Sequence, residues 1–222
     1  MPQYFITGTD TGVGKTFVTC ALLHTLKAQD IAAIGMKPVA AGAQMTSDGL
    51  RNDDVETLRE ASGIALASED VNCYLLVDAI APHIAAANED VEIDLDVIRQ
   101  RFDQLAELAD VVLVEGVGGF IVPLGDNVDS ADLAADLDLP VILVVGMRLG
   151  CLNHALLTQE AIRARGLSLA GWVANQIDPN MVELDANIEA LEERIRAPLL
   201  GVIEWQKQPD PARVSIELPF LG

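Results

Sequence analysis

The stretch GTDTGVGKT at residues 8–16 constrains this chain more than any other. It follows the apolar run Tyr4, Phe5, Ile6 and precedes Phe17, Val18, Thr19, Cys20, Ala21, Leu22 and Leu23. A strand, a glycine-rich turn and a helix in that order make a phosphate site. The turn aims several backbone N–H groups at one point, and the helix start adds partial positive charge. Lys15 adds a full charge on a flexible stem, and the Thr16 hydroxyl suits the Mg²⁺ of a nucleotide. The spacing departs from the usual G-x-x-x-x-G-K-S/T. Five residues separate Gly8 from Gly14, and Thr9 stands where the first glycine is expected. The turn implies a nucleoside triphosphate and leaves the reaction open.

A chain of 222 residues is long enough for one large α/β domain, 1–222, with a sizeable aliphatic core. Its 34 acidic residues against 14 Lys and Arg give a formal net charge of -20. Such a field repels nucleic acid and anionic membranes, so neither is expected as a partner. It also repels ATP, so cations must be concentrated locally, as at Lys15 and Lys37. Cys20, Cys73 and Cys151 are widely spaced with no C-x-x-C, which argues against a disulfide framework or zinc site. That usage fits a reducing cytosol, so a cytoplasmic location is expected. The first strand begins close to Met1, so no signal peptide is expected, and no apolar run reaches the length of a membrane span.

Further strands and helices alternate along the chain. A helix is expected over 15–28, then a strand over 31–36 that delivers Lys37, with Pro38 stopping it. Asn52 or Asp53 reads as the N-cap of a helix to about residue 61, with Asp54 in its first turn. A short strand is expected over 72–77, a helix after Pro82, and an amphipathic helix over 94–108. Val111, Val112, Leu113 and Val114, ending in Glu115, read as a central parallel strand with its carboxylate at the ligand edge. Gly116, Gly118 and Gly119 allow close backbone approach there. Then come a helix over 130–137, a strand over 140–145, a helix to about 164 capped by Gly166, and a strand over 169–174 ending at Asn175 and Gln176. A helix over 181–194, a strand over 199–203 and a proline-containing tail complete the chain. This alternation gives a doubly wound α/β fold with a mainly parallel sheet, of the P-loop NTPase kind. Lys15, Lys37, Glu115, Gly150 and Asn175 all follow strands, so they converge on one sheet edge.

Taken together, GTDTGVGKT, MKPVAAG, GLRNDDVETL, VVLVEGVGG, PVILVVGMRLGCLNHALLT and LAGWVANQI resemble the dethiobiotin synthetase family over nearly the whole chain. The resemblance implies a cyclo-ligase of biotin biosynthesis. It would close the ureido ring from 7,8-diaminopelargonic acid, CO₂ (or bicarbonate) and ATP, with Mg²⁺, through a carbamate and a carbamic–phosphoric anhydride. It implies that Lys15, Lys37 and Thr11 act on the γ-phosphate and carbamate, and that Thr16, Asp54 and Glu115 ligate Mg²⁺. Gly12, Val13, Gly14, Lys15, Thr16 and Phe17, with Glu115, Gly116, Val117 and Gly118, would hold the nucleotide and diamine. Asn175 and Gln176, with Glu204, Trp205 and Gln206, would line the adenine pocket. Gly150, Cys151, Leu152 and Asn153 would meet the substrate tail from the partner subunit of a homodimer. Ala41 departs from the family pattern, where Ser or Thr often supplies a hydroxyl to substrate.

The alternative is a partitioning-type P-loop switch ATPase. Such proteins favour a second lysine early in the loop and basic or amphipathic surfaces. Here Thr9, Asp10 and Thr11 fill those loop positions and the net charge is strongly negative. A cobyrinic acid amidase relative would carry a glutaminase domain, for which 222 residues leave no room.

Overall fold

The computed structural model describes residues 2–218, so the last residues of the tail, 219–222, lie outside the described residues. β1 (Tyr4–Gly8) leads through the phosphate loop into α1 (Lys15–Ala28). β2 (Ala33–Met36) delivers Lys37, and β3 (Val39–Ala41) follows. β4 (Gln44–Thr46) and β5 (Gly49–Arg51) form a small antiparallel hairpin that precedes α2 (Asp53–Ser62). α3 (Ser68–Val71), β6 (Tyr74–Leu76), α4 (Pro82–Asn88) and α5 (Leu95–Ala106) lead to β7 (Val111–Glu115). α6 (Ser130–Asp136), β8 (Val141–Met147), α7 (Cys151–Ala164), β9 (Leu169–Gln176), α8 (Leu184–Glu192) and β10 (Leu199–Ile203) complete the order.

The main sheet runs β10-β9-β8-β1-β7-β2, with every neighbouring pair parallel. Helices cover both of its faces, so its central strands are apolar at every position rather than at alternate ones. In β7, Val112 and Val114 pack on one face with Phe5, Ile98 and Phe102. Val111 and Leu113 pack on the other with Tyr4, Ile6, Val18 and Leu22 of α1. Each such side chain contributes roughly 1.5–3 kcal/mol relative to exposure. The switch point lies between β1 and β8: the chain leaves β1 toward β2 and leaves β8 toward β9. Ligands bind above such a point, at the carboxyl ends of the strands.

The expected elements are present, with differences at their ends. β8 runs on to Met147, because parallel pairing with β9 continues through Gly146 and Met147. α8 begins at Leu184 and not at 181, since Glu183 takes a left-handed φ of 57° and blocks an earlier start. The β4–β5 hairpin and the pairing of β3 with β6 are not evident in the sequence, as each strand has only three residues. The tail doubles back over α1: Ile216 is fully buried in that core, and Glu217 N–H donates to Leu200 O at 2.9 Å. Among the described residues no helix is long and apolar enough to cross a membrane.

Candidate nucleotide and substrate site

The phosphate loop leaves β1 at Gly8 and closes on α1 at Gly14, whose φ of 86° caps the helix. A side chain there would be excluded twice over. The backbone is left-handed, and a Cβ would lie 2.3 Å from the Asn175 amide nitrogen. Asn175, at the end of β9, donates from Nδ2 to Val13 O at 2.8 Å and so grips the loop from the side. Val13 itself is 1% exposed and offers the site only its backbone.

Lys15 turns back across the loop. Its Nζ donates to Gly118 O at 2.6 Å and lies 3.4 Å from Asp10 O. Burial and the neighbouring Lys37 push its pKa down to about 8, against the opposing pull of Glu115, Asp54 and Asp10. Thr16 sits one position further, and its Oγ1 donates to Glu115 Oε1 at 2.7 Å. Glu115 ends β7 with no exposed surface. Its second oxygen accepts from Thr19 Oγ1 at 2.8 Å. Thr16 and Thr19 lie three apart on α1 and therefore face β7 together.

Lys37 completes this centre. Its Nζ lies 2.6 Å from Glu115 Oε1 and 3.2 Å from Asp54 Oδ2. Burial alone would lower its pKa, but the two carboxylates more than offset this and hold the ammonium above its ordinary value. The backbone around it is fixed by Asn72, whose Nδ2 donates to Lys37 O at 2.7 Å. Asp54 stands in the first turn of α2. Asn52 caps that helix, its Oδ1 accepting from Asp54 N and Val55 N. Asn52 also donates to Ala41 O at 3.2 Å, linking the α2 cap to β3.

The Thr16 hydroxyl and the Asp54 and Glu115 carboxylates form an all-oxygen donor set of the kind a hard divalent cation takes. That the Lys37 ammonium already rests between the carboxylates marks the spot as built for positive charge. Among the described residues no group of three or more His, Cys, Asp or Glu could hold a metal. The hard oxygen donors of Thr16, Asp54 and Glu115 fit Mg²⁺, which takes few protein ligands and keeps oxygens of water and phosphate.

Two hollows adjoin this centre. The larger, about 700 Å³, is lined by Thr11, Gly12, Gly14, Lys15, Thr16, Lys37, Ala41, Asp54, Val117 and Gly118. Ala79, Ile80, Ala81, Pro82 and Val122 give it an apolar wall. The smaller, about 250 Å³, is lined by Phe17, Asn175, Gln176, Glu204, Trp205 and Gln206, with Ile177, Ile203 and Pro209. Gln176 Oε1 accepts from Trp205 N at 3.1 Å, which fixes the tail over the cleft. Gly116 lies against Phe5 and Ile6 and lines neither hollow. Gly150, Cys151, Leu152 and Asn153 open α7 and line neither hollow, and Cys151 is buried. Thr19, Asn52 and Asn72 stand at this centre although the sequence motifs give them no ligand role. The spacing of Thr16 and Thr19 on a helix face is the one signal that could have marked the first of them.

A family model described as an AAA domain matches residues 2–213. The ATP-dependent dethiobiotin synthetase BioD of Aromatoleum aromaticum is 58% identical over 219 residues, covering 99% of this chain and 97% of that protein. The protein of the same name from Nitrosospira multiformis is 55% identical over 212 residues, covering 96% and 92%. Among solved structures, a ParA family ATPase from Chlorobium tepidum superposes with a TM-score of 0.59 at 14% identity, covering 93% of this chain and 85% of that one. The MinD cell division protein of Aquifex aeolicus gives 0.57 at 14%, covering 93% and 84%. The likeness to these two shows a shared P-loop fold and nothing finer. With curated relatives of one name matching nearly end to end, the chain belongs to the ATP-dependent dethiobiotin synthetase family.

Proposed function

We propose that this chain, as a single domain, closes the ureido ring of dethiobiotin from 7,8-diaminopelargonic acid, CO₂ and ATP. One observation carries the reading. Two buried lysines, Lys15 and Lys37, meet a phosphate loop on one side and a 700 Å³ hollow with an apolar wall on the other. A site that must seat two anions together beside a hydrocarbon chain has these requirements.

The first amine adds to CO₂ and loses a proton, giving a carbamate. A carbamate oxygen then attacks the γ-phosphorus of ATP, ADP leaves, and the poor leaving group becomes a good one. The second amine attacks the carbonyl carbon, phosphate departs, and a proton is lost as the ring closes. That last attack is intramolecular, so holding the chain in place supplies much of the rate. Lys37 and Lys15, with Thr11, stabilise the negative charge shared between carbamate and γ-phosphate. Mg²⁺, held by Thr16, Asp54 and Glu115, would neutralise phosphate charge. Ile80, Val117 and Val122 exclude water along the aliphatic chain, and Ala41 leaves the polar contact there to backbone or water. Asn175, Gln176, Glu204, Trp205 and Gln206 take the adenine.

The substrate's carboxylate tail would reach Gly150, Cys151, Leu152 and Asn153 of a second copy, making the working unit a cytoplasmic homodimer. Leu149, 97% exposed beside that segment, supports a covered face there. The test is phosphate release by purified protein with ATP, Mg²⁺ and bicarbonate, with and without the diamine. Diamine-dependent release, with dethiobiotin seen by mass, is the expected result. ATP turnover indifferent to the diamine would sink the reading and bring forward a switch ATPase.

A further inference from the structure

The loops that follow β1 and β8 meet above the switch point of the sheet, and one ion pair spans them. Arg148 Nη2 lies 2.6 Å from Asp10 Oδ2. The other Asp10 oxygen accepts from Thr11 N at 2.8 Å, and the Asp10 carbonyl lies 3.4 Å from Lys15 Nζ. The same two segments are joined by Thr9 N donating to Val144 O at 3.0 Å and Gly146 N donating to Thr9 Oγ1 at 3.3 Å. Arg148 stands two residues before Gly150, the cap of α7.

An aspartate within a phosphate loop works against the loop's purpose. Its charge repels the anions that the backbone N–H groups and Lys15 attract, and the chain already carries -20. We propose that Arg148 is a positioning residue: it neutralises Asp10 and holds that carboxylate on the Thr11 N–H, turned from incoming phosphates. In doing so it ties the phosphate loop to the segment that opens α7. The inference rests on the loop being the nucleotide site, and not on the identity of the amine substrate. Both side chains are nearly half exposed, at 42% and 46%, so the pair adds little to folding and its effect falls on anion binding.

The test uses the full chain and ADP titration alongside steady-state kinetics with ATP and thermal melting. Arg148→Gln is expected to weaken ADP binding and raise the KM for ATP by about fivefold, with kcat changed less and the melting temperature within about 2 °C of wild type. The loss should shrink at high salt, where exposed charges are screened. Arg148→Lys should restore most of the affinity. The double variant Asp10→Asn with Arg148→Gln should bind ADP more tightly than Arg148→Gln alone, because no unmasked carboxylate remains. Wild-type affinity in Arg148→Gln would overturn the proposal. So would a double variant as weak as the single one, since Arg148 would then act on phosphate directly. Absence of diamine-dependent turnover with these ADP results intact would instead refute the proposed reaction.

Discussion

Replacing Lys37 with methionine removes the one full positive charge within 3.2 Å of both Glu115 and Asp54 while keeping most of the side-chain volume. Glu115 has no exposed surface, so in the variant its carboxylate keeps the Thr16 and Thr19 hydroxyls as hydrogen-bond partners and Lys15 as a more distant charge. At the observed 2.6 Å the gross attraction between the charges is roughly 6 kcal/mol at an effective dielectric near 20. Much of that offsets the cost of burying the ammonium, so the net loss on breaking the pair is about 3 kcal/mol. For a chain of this size each kcal/mol is worth about 2–4 °C, so Lys37→Met should melt roughly 6–12 °C below wild type at pH 7. The assay is differential scanning calorimetry without ligand, with Glu115→Gln added in a second variant. Lys37→Met with Glu115→Gln removes both charges and should recover stability, since a hydroxyl-bonded amide can stay buried. Turnover should be lost in both. A Lys37→Met melting temperature within about 2 °C of wild type would refute the reasoning, as would a double variant less stable than the single one.

Three further outcomes follow from the site. Because Lys15 titrates near 8 and bound phosphates favour its charged form, ADP binding at pH 8.5 should take up protons, and at pH 6.5 it should take up almost none. Calorimetry in two buffers of different ionisation enthalpy reads this. The sign also requires the ligand-free protein to gain stability from Lys15 as pH rises from about 8 toward 10.5, where only the unfolded chain keeps that proton. Gly14→Ala adds left-handed strain of about 1–2 kcal/mol and displaces Asn175, so ADP affinity should fall at least about tenfold; unchanged affinity would mean the loop geometry does not bind phosphate. Trp205 is 46% exposed in the cleft and Trp172 is fully buried, so ADP should change tryptophan emission through Trp205 alone; a change that survives Trp205→Phe would place the base elsewhere.

The parallel sheet was legible because both its faces are covered. β1, β7 and β8 are apolar at nearly every position, which a surface strand cannot be. The positions of Lys15, Lys37, Glu115 and Asn175 in the fold were legible because each lies at the end of a strand or in the glycine loop, whereas Asp54 opens α2. What the sequence concealed is local or pairwise. The β4–β5 hairpin has no apolar alternation to betray it, as the residues of β4 are exposed. Glu183 in a left-handed turn delays α8 with no proline or glycine to signal it. Thr19 lies inside an apolar helical run and looks like filler until β7 is placed beside it. Arg148 looks like a surface arginine until the 2.6 Å contact brings residues 138 positions apart together.

Asn175 carries a consequence for how such a chain can change. Its Nδ2 gives one of its two hydrogens to Val13 O, and the same residue lines the cleft beside Phe17 and Gln176. Under the proposed reading, one side chain both recognises the base and braces the turn that grips the phosphates. A substitution that alters which nucleotide is accepted therefore loosens the phosphate grip at the same time. Base preference and catalytic efficiency become linked traits, and a lineage shifting from one nucleotide to another would need a second change in the loop to recover its rate.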